Sequence, residues 1–506
     1  MPLRMSCAAL AILALPAAAF SSTLSFQKHT QDNASDFGGG APFYQHADLN
    51  HDGREDLVFA YSPGQGAQNI FAVQLATADG VYGPATSYQI NPNTGIEQLV
   101  LGDFNNDGAI DILIAAWDGH FYLYQNDKSG KFTLVNTFSF VGSSTSDYSV
   151  GIAAGDFNHD SITDLAFINA GRVNVWFGNG KNGFTTGPST GVLGITPQIG
   201  DFDGDGKADL LLTDATDHTK AYVLYGDNTG HFPQTTTIYR TAPAGTPTDM
   251  TYVEFSVGDV NSDGKSDVMA VQRGAYKNRV FIYYGDSSRQ LRSRTYVTTR
   301  QCVEGPATVA DLDGNGYNDL IVREDDCTNT NYGPPYIDVL TRNPNSSYNA
   351  DRTVFTAPPI GGVTYGVPFT PQAIRANADT KPDLLLTQCA DSGCYASTIN
   401  TLLNTSSGNF PSCEAPADAK GINVCKPSGS VASPVAFAIG AAGPVPMRDV
   451  EVWIDGKKLA EQIDGFSYYT FLNKNVSLTP GSHKVTVSAA GWDQSLVKKS
   501  FTVSVQ

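Results

Sequence analysis

Aspartate recurs in this chain at a spacing that suits a hard divalent cation. The pattern Asp-x-Asx-x-Asp-Gly-x-x-Asp runs from Asp48 to Asp56, Asp103 to Asp111, Asp156 to Asp164, Asp201 to Asp209, Asp259 to Asp267 and Asp311 to Asp319. Oxygen side chains at alternate positions can wrap such an ion, and a glycine at the sixth position permits the sharp turn. The side-chain ligands are read as positions one, three, five and nine. They are Asp48, Asn50, Asp52 and Asp56 in the first loop, and Asp103, Asn105, Asp107 and Asp111 in the second. The third offers Asp156, Asn158, Asp160 and Asp164, and the fourth Asp201, Asp203, Asp205 and Asp209. Asp259, Asn261, Asp263 and Asp267 serve the fifth; Asp311, Asp313, Asn315 and Asp319 serve the sixth. Position seven adds a backbone carbonyl, from Arg54, Ala109, Ile162, Lys207, Lys265 and Tyr317.

About six calcium ions are the expected load. The six loops place nineteen carboxylates at those positions, and clustering three without a cation is costly. A set of Asx-turns, with the oxygens satisfied by backbone N–H groups, is the competing reading. An EF-hand is excluded, because its twelfth position needs a bidentate Glu and here holds residues such as Phe59 and Ile114. Two departures matter. Ser161 replaces the glycine of the third loop, which should weaken that site without abolishing it. A degenerate seventh copy, Arg375 to Asp383, has lost its first aspartate; the Arg375 guanidinium is expected to stand where the ion would, leaving no calcium there.

The elements that carry the loops repeat with them, at intervals of roughly 55 residues. Each loop is followed by a short, uniformly apolar run such as LVFA, ILIA or LLLT, as a strand buried on both faces requires. A further strand and a tight Asn/Asp/Gly turn follow, as in FYLYQNDKSGKF and AYVLYGDNTGHF. Four strands per unit and seven units predict an all-β chain folded as a seven-bladed β-propeller, with a solenoid as the rival. Leu24 to Thr30 resembles the last strand of a unit but precedes the first complete one. It is expected to complete the last blade and close the ring.

These loops resemble the FG-GAP/VCBS repeat family, whose best-known members are integrin alpha-subunit propellers. The resemblance covers roughly Leu24 to Pro411 and implies the calcium role at the loop positions named above. It implies no single function, since the family includes adhesion modules, lectins and appendages of polysaccharide-degrading enzymes.

Composition agrees with a turn-rich β protein: 16% of residues are charged, 41% are hydrophobic, and there are 50 Gly. A net charge of −18 argues against nucleic-acid binding, which needs a basic surface. No transmembrane segment is expected. Arg4, the apolar stretch from Cys7 to Leu15 and Ala17 to Ala19 read as a signal peptide (1–19), implying a secreted, extracellular or periplasmic monomer. Six further cysteines, Cys302, Cys327, Cys389, Cys394, Cys413 and Cys425, suit disulfides in that setting, and pairing in sequence order closes the shortest loops. The propeller is assigned to 20–412 and a linker to 413–430. Residues 431–506 alternate apolar and polar positions in VEVWID, HKVTVSAA and FTVSV, which predicts a small β-sandwich. It resembles the Ig-like domains of bacterial secreted proteins.

No HExxH, Walker A, GxSxG or dinucleotide GxGxxG motif is present. Strand parity puts the acidic loops and the hairpin tips on one face. The variable turns fall on the other, where Trp117, His120, Tyr276, Arg279, Tyr332 and Tyr395 are candidate contacts for a sugar or peptide. The alternative is that they pack neighbouring blades. Between Gln272 and Arg300 basic residues dominate, a stretch that suits an acidic polysaccharide; Arg292, Arg294 and Arg300 are read in preference as edge protection on an outer strand. The functional expectation is a non-enzymatic calcium-binding module for a glycan or an extracellular protein. The alternative is a polysaccharide lyase or related enzyme acting on that same face.

Overall fold

The computed structural model describes residues 24–33, 43–61, 69–140, 151–239, 252–273, 278–291, 294–325, 336–343, 345–349, 352–356, 371–377, 379–389, 397–407, 413, 421–427, 430–491 and 496–506. The expected signal segment, Tyr276, Tyr332, Tyr395, Cys327 and Cys394 lie outside the described residues. Among those described, every regular element is a strand.

Each acidic loop joins the first two strands of a four-stranded antiparallel run. At the second loop the strands are Ile96–Gly102, Asp111–Ala116, His120–Asn126 and Phe132–Ser139. The apolar run DILIAA is buried at all six positions, as its composition demands, whereas most of Phe132–Ser139 is exposed as an outer edge. Two runs share one strand: Phe184–Gly200, 17 residues long, ends the sheet of the third loop and begins that of the fourth. The N-terminal strand Phe26–Asn33 pairs antiparallel with Ser397–Asn404, from Phe26 opposite Asn404 to Asn33 opposite Ser397. It thus becomes the outer strand of the sheet that carries the seventh copy, as expected.

Successive sheets are joined by recurring hydrogen bonds. Asn126 Nδ2 donates to the Leu49 carbonyl at 2.8 Å, Gly230 N–H to Phe157 O at 2.9 Å, and Asn404 Nδ2 to Leu312 O at 2.9 Å. Each acceptor is the second residue of the preceding loop. Gly80 N–H donates in the same way to Ala376 O at 3.0 Å, linking the first sheet to that of the seventh copy. Apolar side chains fill the same junctions. Val58 and Phe71 meet Leu99 and Ile112, while Phe59 and Ala72 meet Ile374 and Leu385. The succession of face-packed sheets therefore returns to its start, and the fold is a β-propeller. A cavity of about 810 Å³ runs along the first strands, touching Gln45, Gln98, Ala153, Gln198, Val257, Thr308 and Ile374.

Residues 421–506 build a separate sheet with its own apolar core, including Val435, Phe437, Val452, Leu472 and Val487. The three alternating stretches expected as strands fall on Val435–Ile454, Gly481–Gly491 and Leu496–Val505, with Asp455 of the first already in the turn that follows. Gly421–Lys426, inside the stretch read as linker, is itself a strand paired with Val435–Ile454. Cys413 and Cys425 form a disulfide, and Cys302 is disulfide-bonded as well.

Candidate metal centres

The loops are built from backbone N–H groups turned onto carboxylates. The position-one carboxylate accepts the N–H groups of positions five and six: Asp52 and Gly53 onto Asp48 (3.1 and 2.9 Å), Asp107 and Gly108 onto Asp103 (3.2 and 2.8 Å). Position five caps position seven, as where Asp263 accepts from Lys265 N–H at 3.0 Å. Position four is left-handed in all six intact loops: His51, Asn106, His159, Gly204, Ser262 and Gly314 have φ between 58 and 74°. His51 and His159 thus stand at a conformationally special position. Ser161 keeps the backbone of the glycine it replaces (φ 65°) and still donates to Asp156 at 2.9 Å. The third loop pays only the strain of that left-handed serine, about 1 kcal/mol.

Position nine does more than its place in the pattern announces. Asp56, Asp111, Asp164, Asp209, Asp267, Asp319 and Asp383 are all fully buried. One oxygen of each accepts the N–H of loop position two; the other accepts an N–H at the end of the third strand. For Asp209 these donors are Phe202 (2.9 Å) and Gly226 (2.8 Å); for Asp383 they are Ala376 (3.0 Å) and Asn404 (2.7 Å). Asp383 keeps this clamp although its loop has lost position one.

The donor set fits a divalent cation. Carboxylate oxygens of positions one, three and nine lie within 4.8 Å of one another in the fourth loop (Asp201, Asp203, Asp209) and the sixth (Asp311, Asp313, Asp319). Burial makes their charge costly. It pushes Asp48 and Asp103 up to about 6, and Asp56, Asp111, Asp164 and Asp209 up to about 8. A bound cation would supply the charge that removes this cost and tie position one to position nine. Protein cations approach some of the same oxygens. Arg289 Nε lies 2.5 Å from Asp203, its Nη2 2.9 Å from Asp205, and Lys474 Nζ 2.9 Å from Asp259. In the seventh copy, Arg375 acts across the junction on Glu55. Burial opposes the Glu55 charge, but His46 at 2.8 Å, the Arg375 cation and the Arg375 N–H hold its pKa below the usual carboxylate value.

On the opposite face the structure places three of the six candidate contacts. Trp117 is 51% exposed, and its N–H donates to Gly95 O at 2.9 Å. His120 stands beside it, and Asp118 between them organises the turn. That carboxylate accepts from the His120 N–H (3.2 Å), the Tyr122 hydroxyl (2.7 Å) and Asn91 Nδ2 (3.2 Å). The sequence reading missed Asp118, Tyr122 and Asn91, because only the fold brings Asn91 to this turn. Arg279 belongs to a different sheet and lies over the Tyr296 ring at 4.6 Å. Arg300 corrects the edge-protection reading. The outer strand is Arg294–Thr298, and Arg300 lies beyond it, donating to Asp338 and Thr353 at 2.6 Å each.

The family model described as FG-GAP-like repeat matches residues 48–114, 103–167, 156–212, 201–270 and 259–322, together more than half of the chain. The chain belongs to the FG-GAP-like repeat family. Each FG-GAP match begins at the first aspartate of a loop, so the family unit and the acidic loop coincide. No curated protein matches the chain. Among solved structures, BBS1N in complex with ARL6DN is similar at 11% identity, covering 76% of this chain and 98% of that one, with a TM-score of 0.49. An Agrocybe aegerita lectin, described for recognition of non-reducing terminal N-acetylglucosamine, shares 17% identity over 51% of this chain and 66% of its own (TM-score 0.38). Chaetomium thermophilum Sqt1 shares 12% over 71% and 83% (TM-score 0.43). At this level of similarity none carries a residue role over to this chain.

Proposed function

We propose that this FG-GAP protein is a secreted, calcium-stabilised, seven-bladed propeller with a C-terminal Ig-like domain, acting as a non-enzymatic binding module for a glycan or an extracellular protein. The observation that carries the reading is the loop itself, whose oxygen ligands recur in six copies and whose carboxylates of positions one, three and nine converge in the fourth and the sixth. One site repeated around a ring is what a scaffold needs, whereas a catalytic pair is needed once. Seven loop copies and the closing N-terminal strand support the blade number. The exposed Trp117 on a turn braced by Asp118 supports a contact surface on the face away from the loops.

A glycan array and a pull-down with the mature chain in calcium test the reading. Trp117→Ala should weaken any ligand found by about tenfold, a loss typical of an exposed aromatic contact, with the melting point unchanged. Blank results in both assays with calcium present refute it.

A further inference from the structure

The C-terminal domain does not hang free of the propeller. Its strand Lys457–Val476 lies across the acidic-loop face, with one end on the fourth loop and the other on the fifth and sixth. Lys458 Nζ sits 3.4 Å from Asp201 Oδ2, while also pairing with Glu461 at 2.9 Å. Lys474 Nζ sits 2.9 Å from Asp259 Oδ2, and Asn475 Nδ2 donates to Asn315 O at 2.9 Å. Both ammonium groups are nearly buried, with side-chain exposures of 10% and 5%. The fit extends to the backbone. A side chain at Gly264 would press on Ala460 and the Glu461 N–H at 3.3–3.4 Å, and one at Gly316 would collide with Asn475. Glu461 and Lys474 also line the central cavity, so this strand closes it at the loop end.

Asp201 and Asp259 are the position-one aspartates of their loops, and each shares the contacted oxygen with a backbone N–H. Gly206 donates to Asp201 Oδ2 at 2.9 Å and Gly264 to Asp259 Oδ2 at 3.0 Å. An ammonium at that oxygen supplies part of the positive charge a divalent ion would bring. Ammonium and ion cannot share the site without repulsion.

We propose that Lys458 and Lys474 make the C-terminal domain an ion-sensitive cap: docking competes with divalent-ion binding at the fourth and fifth loops, and ion loading lifts the cap from the central cavity. The inference rests on the calcium reading of the loops. A +1 charge within about 5 Å of a +2 charge lowers ion affinity by about tenfold or more even at water-like screening. Linkage makes the effect reciprocal, so the ion weakens docking by the same factor.

Calorimetric calcium titration of the full-length chain tests this, alongside small-angle scattering with EDTA and with calcium. Lys458→Met with Lys474→Met should move two ions to a class bound about tenfold or more tighter. The charge-keeping Lys458→Arg with Lys474→Arg should stay close to wild type. The wild-type chain should be compact in EDTA and longer in calcium, a readout that stands even if the Met variant folds poorly. Calcium binding with wild-type affinities in a folded Met variant, or a maximum dimension indifferent to calcium, overturns the cap alone. A wild-type chain that binds no calcium overturns the calcium reading and the cap together.

Discussion

Replacing Asp383 with alanine separates the two duties of loop position nine, because the seventh copy lacks the position-one aspartate. The substitution leaves the Ala376 and Asn404 N–H groups, now 3.0 and 2.7 Å from the carboxylate, without an acceptor in a fully buried setting. At about 1–3 kcal/mol per orphaned donor the loss is about 2–6 kcal/mol. For a cooperative unit this large, at about 1–2 °C per kcal/mol, the midpoint falls by roughly 2–12 °C. Asp383→Asn, which keeps one acceptor oxygen, should cost about half as much. Asp209→Ala removes the matching bonds from Phe202 and Gly226 and, in addition, a proposed ion ligand. Thermal melts with and without EDTA, combined with a count of bound calcium after dialysis, distinguish the duties. Asp383→Ala should melt early in both buffers with the wild-type ion count, whereas Asp209→Ala should lose one ion. A wild-type melting curve for Asp383→Ala, or a lost ion in that variant, refutes the division of labour.

Metal-free protein should be less stable at pH 8 than at pH 6. Position-nine carboxyls raised to about 8 by burial are protonated in the folded chain below that value, and their contribution is lost as pH rises through it. Calcium should abolish the difference, and identical EDTA melts at both pH values would count against it. Ser161→Gly should relieve a left-handed serine and stabilise the third loop by about 0.5–1 kcal/mol, read as a higher midpoint in calcium. Deleting residues 24–33 should lower the melting point and leave a chain that binds the synthetic 24–33 peptide; a truncated chain that melts normally and ignores the peptide would contradict the closing role.

The sequence spoke most clearly where physics imposes a period. The spacing of oxygens, the apolar run after each loop and the out-of-place strand at Leu24 were all legible, because each repeats a local requirement. The clamp made by position nine was hidden, since its donors come from residues such as Gly226 and Asn404 that only the folded sheet brings near. The left-handed position four was hidden too, because His, Asn, Ser and Gly share a backbone preference and not a chemistry. Arg300 was misread because the outer strand ends at Thr298, before the position that alternation assigned to it. Nothing local marks Lys458 or Lys474 among other surface lysines; their meaning depends on how one β unit lies upon another.

The pairing of Phe26 with Asn404 also sets an order of events for the newborn chain. The strand Phe26–Asn33 must wait for a partner made hundreds of residues later, with Ser25 and Ser406 lying 381 positions apart in the finished molecule. Until that partner emerges, no amount of local pairing completes the circle. Any product truncated before residue 397 keeps two raw edges exposed, which marks it for degradation or self-association. The fold thus carries its own test of completeness.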